Sequence, residues 1–464
     1  MKRTLGLILT GVAVAGAFVL PQPDPEPGPD FVGPEIRESV AAATASVWYC
    51  PWVASGALRD STVMLAATVP VEGKLTLPQQ IPGEAPDVED VSLDDAGALV
   101  VAVGEIVRRG DTPVFVEFGD GPAAAAAVVA SAELLTGDSC VARIPKVWEL
   151  PGGTTREGRT LTLRLFNPFP ELAKISVSGS SESGETGLVD LQNLDVPGRT
   201  WHDVNLNAIV PLLDDLSLKV TSSEGFVIPS LVVGGTTDEA SWPGTAPATN
   251  WEFPVATISS EFAPSLMLSN TAAAPLNVFI DVYTDQGVTV NAREVEVLPS
   301  IPSRVDLGDL ADGALGIRVR ATAPVAAAVI AEESVAVLAP SDEEGQVDEV
   351  AEEGGDRIAG TIGINAPATE WLLPGLRAVV EGDSTLWLLN TGTEAATITL
   401  QPLGVRDLTA AKVVVPPGSL LGVPLGYDVT VGGYLLESSS PVSVAWSVES
   451  PAGLMFVTGT VVGG

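Results

Sequence analysis

Few side chains in this sequence have the type and setting needed for covalent catalysis. Ser-His-Asp and Cys-His mechanisms require a histidine as the proton carrier, and the 464 residues contain one, His202. Its neighbours Trp201 and Val204 suit a strand, which favours a surface or edge position over a catalytic one. The sequence also lacks a Walker loop, a dinucleotide fingerprint and an H-E-x-x-H motif. We therefore expect no catalytic, cofactor-binding or metal-binding residue.

Two further patterns could support hydrolysis, but neither is specific. The stretch Gly137-Asp138-Ser139-Cys140 is superficially similar to a serine-protease nucleophile loop, yet it lacks the following glycines. A glycosidase needs two carboxylates at a suitable separation, and among 59 acidic residues no pairing stands out. The sequence therefore predicts that the protein is not an enzyme, and it leaves an extracellular carbohydrate-binding or carbohydrate-active protein as the alternative.

The two cysteines, Cys50 and Cys140, are predicted to form a disulfide. An even count in an exported chain favours a bridge, whereas two thiolates without clustered histidines make a poor zinc site. The bridge would require Cα atoms within about 7 Å, on adjacent strands of the first domain. Closing a loop of about 90 residues could stabilise that domain by roughly 4 to 5 kcal/mol in the chain-entropy model.

An internal repeat is the strongest pattern in the sequence. The motif W-x-x-P begins at four tryptophans spaced 100, 103 and 120 residues apart, and in the last three copies an asparagine follows 19 residues later. In the first copy Ala67 takes the asparagine's place, so that copy is divergent. The repeat-marking residues are Trp48, Trp148, Trp251, Trp371, Asn167, Asn270 and Asn390.

The repeat-marking residues are best explained by structure. A tryptophan that recurs at one position in every copy most simply fills the same core or interdomain pocket, and the asparagines suit turns in which Asn satisfies backbone groups. The remaining tryptophans share no phase and are therefore the better candidates for contact with a ligand such as a sugar ring. They are Trp52, Trp201, Trp242, Trp387 and Trp446.

Each copy reads as a series of short strands. Leu161 to Leu165 alternates apolar and polar residues, as a half-buried strand does, and Val-Pro-x-Gly-type turns separate later strands. About seven strands in 85 to 100 residues match an immunoglobulin-like β-sandwich, whereas a propeller blade needs four in roughly 40. The fold class predicted is therefore all-β, with tandem immunoglobulin-like sandwiches. An exchange of half-domains between neighbours stays open.

The junctions support this phasing, because Ala246 to Trp251 reappears almost unchanged as Ala366 to Trp371. The longer third spacing is explained by an acidic insert, which we expect to be a solvated loop that proteases cut first. The predicted boundaries are 1–20 for a signal peptide or membrane anchor, 21–44 for a Pro-rich spacer, 45–145, 146–247, 248–367 and 368–464 for the four sandwiches, and 342–356 for the insert.

The first twenty residues are expected to direct export. Lys2 and Arg3 precede an uncharged run to Leu20, and Ala15-Gly16-Ala17 offers a cleavage site, so an anchor and a cleaved peptide both fit. The formal net charge of −36 would repel a phosphate backbone or an anionic bilayer. We expect no nucleic-acid partner, and contact with the membrane only through this N-terminal segment.

The combination of an anchor-like segment, the tryptophan-proline start, the L-x-L-x-N hairpin and the P-V strand resembles a family of actinobacterial secreted or cell-envelope proteins of unknown function. The resemblance covers nearly all of residues 45 to 464 and carries no functional residues with it. It implies a location in the cell wall or on the outer face of the cytoplasmic membrane. The function expected is structural or adhesive, with an envelope protein or a cell-wall glycan as partner.

Overall fold

The computed structural model describes residues 47–53, 60–94, 97–107, 110–119, 121–235, 238–257, 262–310, 313–333, 357–375, 382–405, 408–425 and 431–462. These all fall in one compact unit, Ala41–Gly464. The predicted export segment, the spacer and the acidic insert lie outside the described residues. Within the described ranges, no helix is long and apolar enough to cross a membrane.

Antiparallel strands make up most of the described chain, so the prediction of an all-β sandwich fold is confirmed. The first sandwich contains β1 (Val47–Val53), β2 (Asp60–Ala67), β3 (Val71–Leu77), β4 (Asp87–Leu93), β5 (Ala98–Ala102), the helical turn α1 (Val103–Ile106), β6 (Thr112–Phe118), β7 (Ala123–Ala130) and β8 (Leu135–Ser139). The second contains β9 (Val147–Gly153), β10 (Thr160–Asn167), β11 (Ala173–Ser181), β12 (Gly184–Thr186), β13 (Leu194–Val196), β14 (Thr200–Asn205), β15 (Leu216–Glu224), β16 (Ile228–Gly234) and β17 (Glu239–Pro243), with 3-10 turns at Val189–Leu191 and Leu206–Ala208.

The second half of the chain has the same character but longer strands. The third sandwich contains β18 (Ala248–Thr257), β19 (Phe262–Ser269), β20 (Leu276–Thr284), β21 (Gly287–Val297), β22 (Ser303–Asp306), β23 (Leu315–Glu333) and β24 (Ile358–Ile362). The fourth contains β25 (Ala368–Pro374), β26 (Asp383–Asn390), β27 (Ala396–Leu403), β28 (Ala411–Val415), β29 (Ser419–Leu425), β30 (Gly433–Ser450), β31 (Gly453–Thr458) and β32 (Thr460–Val461). The long strands β23 and β30 each run through both sheets of their sandwich.

One order of strand pairing recurs in all four sandwiches. In the first, one sheet has the order β1-β6-β3-β4 and the other β5-β2-β7-β8. The second sandwich repeats this order as β9-β15-β11-β12 and β14-β10-β16-β17. In the third sandwich the long strand β23 fills both the sixth and the seventh position, and in the fourth sandwich β30 does so. The second–fifth and third–sixth pairings are those of an immunoglobulin sandwich, whereas here the first strand pairs with the sixth.

Each sandwich thus has eight strand positions, one more than the sequence suggested. The additional strand occupies the eighth position, as β8, β17, β24 or β31, and it pairs with the seventh. We call these four the last strands; the short β32, which follows β31, pairs with β25. Strands β8, β17 and β24 directly precede the junctions. The last strands matter because they are the strands through which the sandwiches meet.

The four last strands contact each other in a closed cycle. Strand β8 packs against β17 and β31, and β24 packs against the same two strands. Apolar clusters extend across the junctions as well: buried residues of the first and fourth sandwiches share one core cluster, and those of the third and fourth share another. The sandwiches therefore form a compact ring around their last strands.

The disulfide prediction is confirmed. Cys50 on β1 is bonded to Cys140, which directly follows β8, with Cα atoms 4.5 Å apart. The two strands belong to different sheets, but the backbone of Tyr49 pairs with Val141 immediately beside the bridge. The bond therefore fixes the first strand to the segment that leaves the sandwich.

Replacing both cysteines with alanine should lower the free energy of unfolding by about 2 to 5 kcal/mol, because the 90-residue loop is no longer closed in the unfolded chain. Chemical denaturation of the double variant and of the reduced wild type would measure it. The single change Asn250→Ala, at an exposed side chain, is the control and should have almost no effect. Equal stability of oxidised and reduced protein would contradict this expectation.

Candidate functional site

The residues that could serve a hydrolase lie in structural settings. His202 is exposed on β14, an edge strand of its sheet, where it pairs with Leu165. The hydroxyl of Ser139 donates a hydrogen bond to the carbonyl of Thr458 in the fourth sandwich. Burial raises the pKa of the neighbouring Asp138 well above its usual range. The stretch Gly137 to Cys140 thus forms part of a contact between the first and fourth sandwiches.

The repeat-marking tryptophans all lie on the first strand of their sandwich, where each is at most 3% exposed. In three of them the indole N–H donates to a backbone carbonyl at or just before the start of the seventh strand: Trp148 to Val227, Trp251 to Val325 and Trp371 to Val442. The indole nitrogen of Trp48 has no hydrogen-bond partner among the described residues, so the first copy diverges here too.

The repeat-marking asparagines close the turn after the second strand. Asn270 donates to the carbonyls of Ala274 and Val297 and accepts from the N–H of Ala272. Asn167 and Asn390 make the same three bonds. Each donates to the carbonyl four residues ahead and to a carbonyl at the end of the fourth strand, and each accepts from the backbone N–H two residues ahead. The structure therefore places both kinds of repeat-marking residue in the framework of the sandwiches.

The five other tryptophans do not offer a surface for a sugar ring. Their exposed fractions range from 0% for Trp242 to 8% for Trp387. Stacking on a sugar requires an accessible indole face, so the proposal that these residues contact a ligand is wrong. The sequence shows that these five tryptophans do not recur at one position of the repeat, but it does not show that they are buried. Any ligand site must therefore be built from other side chains.

The residue after each repeat-marking tryptophan lies at a junction between sandwiches. In the first sandwich Tyr49 contacts Phe169 of the second, with ring centroids 6.1 Å apart. In the fourth, Leu372 is fully buried in a cluster with residues of the first sandwich. The second and third sandwiches carry carboxylates at this position, Glu149 and Glu252, which are 1% and 3% exposed. Two buried acids thus occupy equivalent places.

Glu252 has a complete set of protein partners. One carboxylate oxygen accepts a 2.8 Å hydrogen bond from the hydroxyl of Thr391, and the other accepts a 2.6 Å bond from Ser443, both in the fourth sandwich. Arg318, on the neighbouring strand, lies 3.7 Å from the carboxylate. A buried charge is stable only when it is paired and hydrogen-bonded, and this one is.

Glu149 occupies the same position but is less completely partnered. Neither of its carboxylate oxygens has a hydrogen bond of normal geometry among the described residues. The hydroxyl of Thr271 in the third sandwich is the match of Thr391, and its interaction with the carboxylate lowers the pKa of Glu149 against the effect of burial. The ammonium of Lys219 is 3.8 Å away and partly exposed. Because Val325 and Val442 are equivalent acceptors, the residue matching Ser443 is Ala326. A methyl group replaces the second hydroxyl donor.

A cleft of about 280 Å³ adjoins Glu149, between the second and third sandwiches. Seven of its thirteen lining residues carry hydroxyls, and one of these, Ser217, is 2% exposed with no hydrogen-bond partner among the described residues. Two buried polar side chains with unused hydrogen-bonding capacity therefore line the same cleft. The lining residues are Glu149, Ser178, Gly179, Ser180, Glu185, Thr186, Ser217, Leu218, Lys219, Ser269, Asn270, Thr271 and Ser300.

Strand register explains why these polar groups share one face. On neighbouring strands Glu149 lies opposite Lys219, and Lys219 lies opposite Ser178. One pleat further, Ser217 lies opposite Ser180. Since residues two apart on a strand point to the same side, the outer face of this sheet carries a polar stripe toward the third sandwich. We define the Glu149 cleft as this stripe with Thr271 and Ser300 above it.

Burial raises the pKa of Glu149 to about 7. This folded-state pKa lies above the unfolded value of about 4.3, so the folded protein binds the proton of Glu149 more tightly than the unfolded chain does. The resulting contribution to the free energy of unfolding is complete below about pH 4 and is lost as the pH rises through 7. Glu149→Gln removes the buried charge, so we expect it to raise the free energy of unfolding by about 1 to 3 kcal/mol at pH 8. Near pH 4 the difference should vanish.

Urea denaturation at both pH values would measure the effect of Glu149→Gln. The control is Glu294→Gln, the same change at an exposed carboxylate on β21, which should leave stability nearly unchanged at either pH. A loss of stability in Glu149→Gln at pH 8 would mean that the carboxylate is well satisfied in the folded protein, contrary to the geometry described above.

Comparison with known proteins assigns the chain to a family. Residues 103–342, just over half of the chain, match the model of a family of unknown function, DUF5719. The chain belongs to this family. The matched residues of this DUF5719 chain include the whole second sandwich and the Glu149 cleft. The expected resemblance to proteins of unknown function is thus confirmed at that level.

The crystal structure of Thermotoga maritima 1070 is similar over 26% of this chain and 96% of that chain, at 18% sequence identity and a TM-score of 0.21. No curated protein matches the sequence.

Proposed function

We propose that this DUF5719 protein is a noncatalytic protein of the actinobacterial cell envelope that binds a protein or glycan partner outside the cytoplasmic membrane. Four tandem sandwich domains, with boundaries near residues 145, 248 and 368, form its folded part. The residues before them act as a signal peptide or membrane anchor and a spacer. The partner is an envelope protein or a cell-wall glycan.

The observation that carries this proposal is the closed cycle of last strands with its shared apolar clusters. It joins the repeats into one platform, in which the repeat-marking residues serve the framework. The histidine and cysteine chemistry that a hydrolase would use is placed at an exposed sheet edge and in a disulfide. What the ring offers to a partner is a broad acidic surface, with a formal charge of −36 for the chain.

The proposal can be tested with residues 41–464 purified in the oxidised form. We expect this protein to sediment with isolated cell-envelope fragments while releasing no reducing sugar ends from them. His202→Ala should sediment equally well. If the protein cleaves wall polysaccharide and one carboxylate substitution abolishes cleavage without unfolding it, the noncatalytic proposal is wrong and the carbohydrate-active alternative replaces it.

A further inference from the structure

We propose that the Glu149 cleft binds a single sugar unit of a glycan. This inference rests on the proposed binding function and deepens it by naming the ligand class and the site. Three properties of the described residues support it: the unused hydrogen-bonding capacity at the cleft, its hydroxyl-rich lining, and its contrast with the closed site at Glu252.

The unused groups at the cleft require a ligand that donates hydrogen bonds. Glu149 offers two acceptor oxygens, and Ser217 can donate and accept. Buried polar atoms are normally hydrogen-bonded, and each one left unpaired costs free energy. Two neighbouring hydroxyls on a pyranose ring can donate to the two oxygens of one carboxylate. Such a ligand would supply the hydroxyl donor that Ser443 provides to Glu252 and would add to the interaction that Thr271 already makes with Glu149.

The rest of the lining fits a neutral polyhydroxylated ligand better than a simple cation. Lys219 lies 3.8 Å from Glu149 and already partly balances its charge, so a second ammonium at Glu149 would meet a like charge. The other carboxylate of the lining, Glu185, is exposed to solvent. The hydroxyls of Ser178, Ser180 and Thr271 both donate and accept, as sugar hydroxyls do. The volume of about 280 Å³ accommodates one ring and leaves a glycan free to continue outward.

The same position in the next sandwich shows how the protein closes such a site when no ligand is needed. At Glu252 the donors come from Thr391 and Ser443, whereas at Glu149 the residue matching Ser443 is Ala326. One hydroxyl therefore separates the closed site from the open one. This difference also provides a variant that should close the cleft without removing any of its groups.

Saturation-transfer NMR with methyl glycosides of glucose, galactose, mannose, arabinose and N-acetylglucosamine would test the proposal on residues 41–464. At pH 8, where Glu149 is ionised, at least one glycoside should bind, and Glu149→Gln should weaken that binding by at least about tenfold, because a charged acceptor is lost. Ala326→Ser should also weaken it, by giving Glu149 an internal donor. Glu294→Gln, at an exposed carboxylate, is the matched control and should bind as the wild type does.

Two results would overturn the sugar assignment. One is the absence of binding by every glycoside, or binding that Glu149→Gln and Ala326→Ser leave unchanged. The other is binding of ethylammonium in place of the glycosides, which would make the cleft a cation site. If either occurs while the protein still sediments with envelope fragments, the platform function stands and only the cleft assignment fails. If the wild-type protein does not sediment with envelope fragments, the proposed binding function itself is contradicted.

Discussion

Removing the fourth sandwich, residues 368–464, should destabilise the other three instead of leaving them unchanged. In a chain of independent domains, truncation at a junction has little effect on the remainder. Here the fourth sandwich covers apolar surface on two neighbours. Met64 and Leu135 of the first are buried in one cluster with Trp371 and Met455, and Phe262 of the third is buried in another with residues of the fourth sandwich.

The truncated protein should expose both surfaces to water. Because every buried Leu- or Met-sized side chain contributes roughly 1.5 to 3 kcal/mol, the loss should lower the melting temperature of the remaining sandwiches by about 10 °C or more and promote association through the exposed patches. Differential scanning calorimetry and light scattering would measure the two effects. A remainder that melts as the full chain does would contradict the ring.

A point substitution tests the same junction without removing a domain. Leu372→Asp places a charge in the fully buried contact between the fourth and first sandwiches, where desolvation is costly. It should lower the melting temperature of the whole protein. Leu172→Asp is the matched control, because that leucine is 42% exposed, and it should change the melting temperature little.

The repeat and the strands could be predicted from the sequence because both are encoded locally. Alternation at Leu161 to Leu165 identifies a strand with one buried face, and that segment lies in β10. The asparagine at a fixed distance from the tryptophan reflects a turn that needs one side chain with both donors and an acceptor. Such features keep their spacing whenever the framework is duplicated.

The ring and the cleft could not be predicted in the same way. The position after the repeat-marking tryptophan is Tyr49, Glu149, Glu252 or Leu372 in the four copies. Because these side chains differ in chemistry, the sequence does not indicate that all four lie at a junction. The state of Glu149 depends on Thr271 and Ala326, more than 100 residues away in the next sandwich. The sequence around Glu149, a carboxylate two residues before a proline, does not indicate which distant residues will surround it.

The centre of the ring depends on one carboxylate, Asp238, which is fully buried just before β17. Its oxygens accept the backbone N–H of Glu239 and of Ile358 in the third sandwich, and that of Leu135 in the first sandwich. Each donor is the first residue of a last strand. A Cβ added to Gly453, which begins the remaining last strand, would lie 3.3 Å from the same carboxylate. All four sandwiches thus meet at Asp238.

Asp238→Ala should therefore lower the free energy of unfolding by roughly 3 to 9 kcal/mol, since three backbone donors lose their acceptor and each costs about 1 to 3 kcal/mol. Asp238→Asn keeps one acceptor oxygen and should cost less. The control Asp195→Ala removes an exposed carboxylate on β13 and should have almost no effect. Denaturant unfolding would measure all three, and a wild-type-like Asp238→Ala would show that the ring is held by its apolar clusters alone.

The pH dependence separates the carboxylate's hydrogen bonds from its charge. Burial raises the pKa of Asp238 to about 7 despite the three donors, above the unfolded value of about 3.9. The folded state therefore favours the protonated acid, and this stability is complete below about pH 4 and is lost as the pH rises through 7. Asp238→Asn cannot titrate, so its stability deficit relative to wild type should be larger at pH 5 than at pH 8. An equal deficit at both values would mean that Asp238 stays ionised at the centre of the ring.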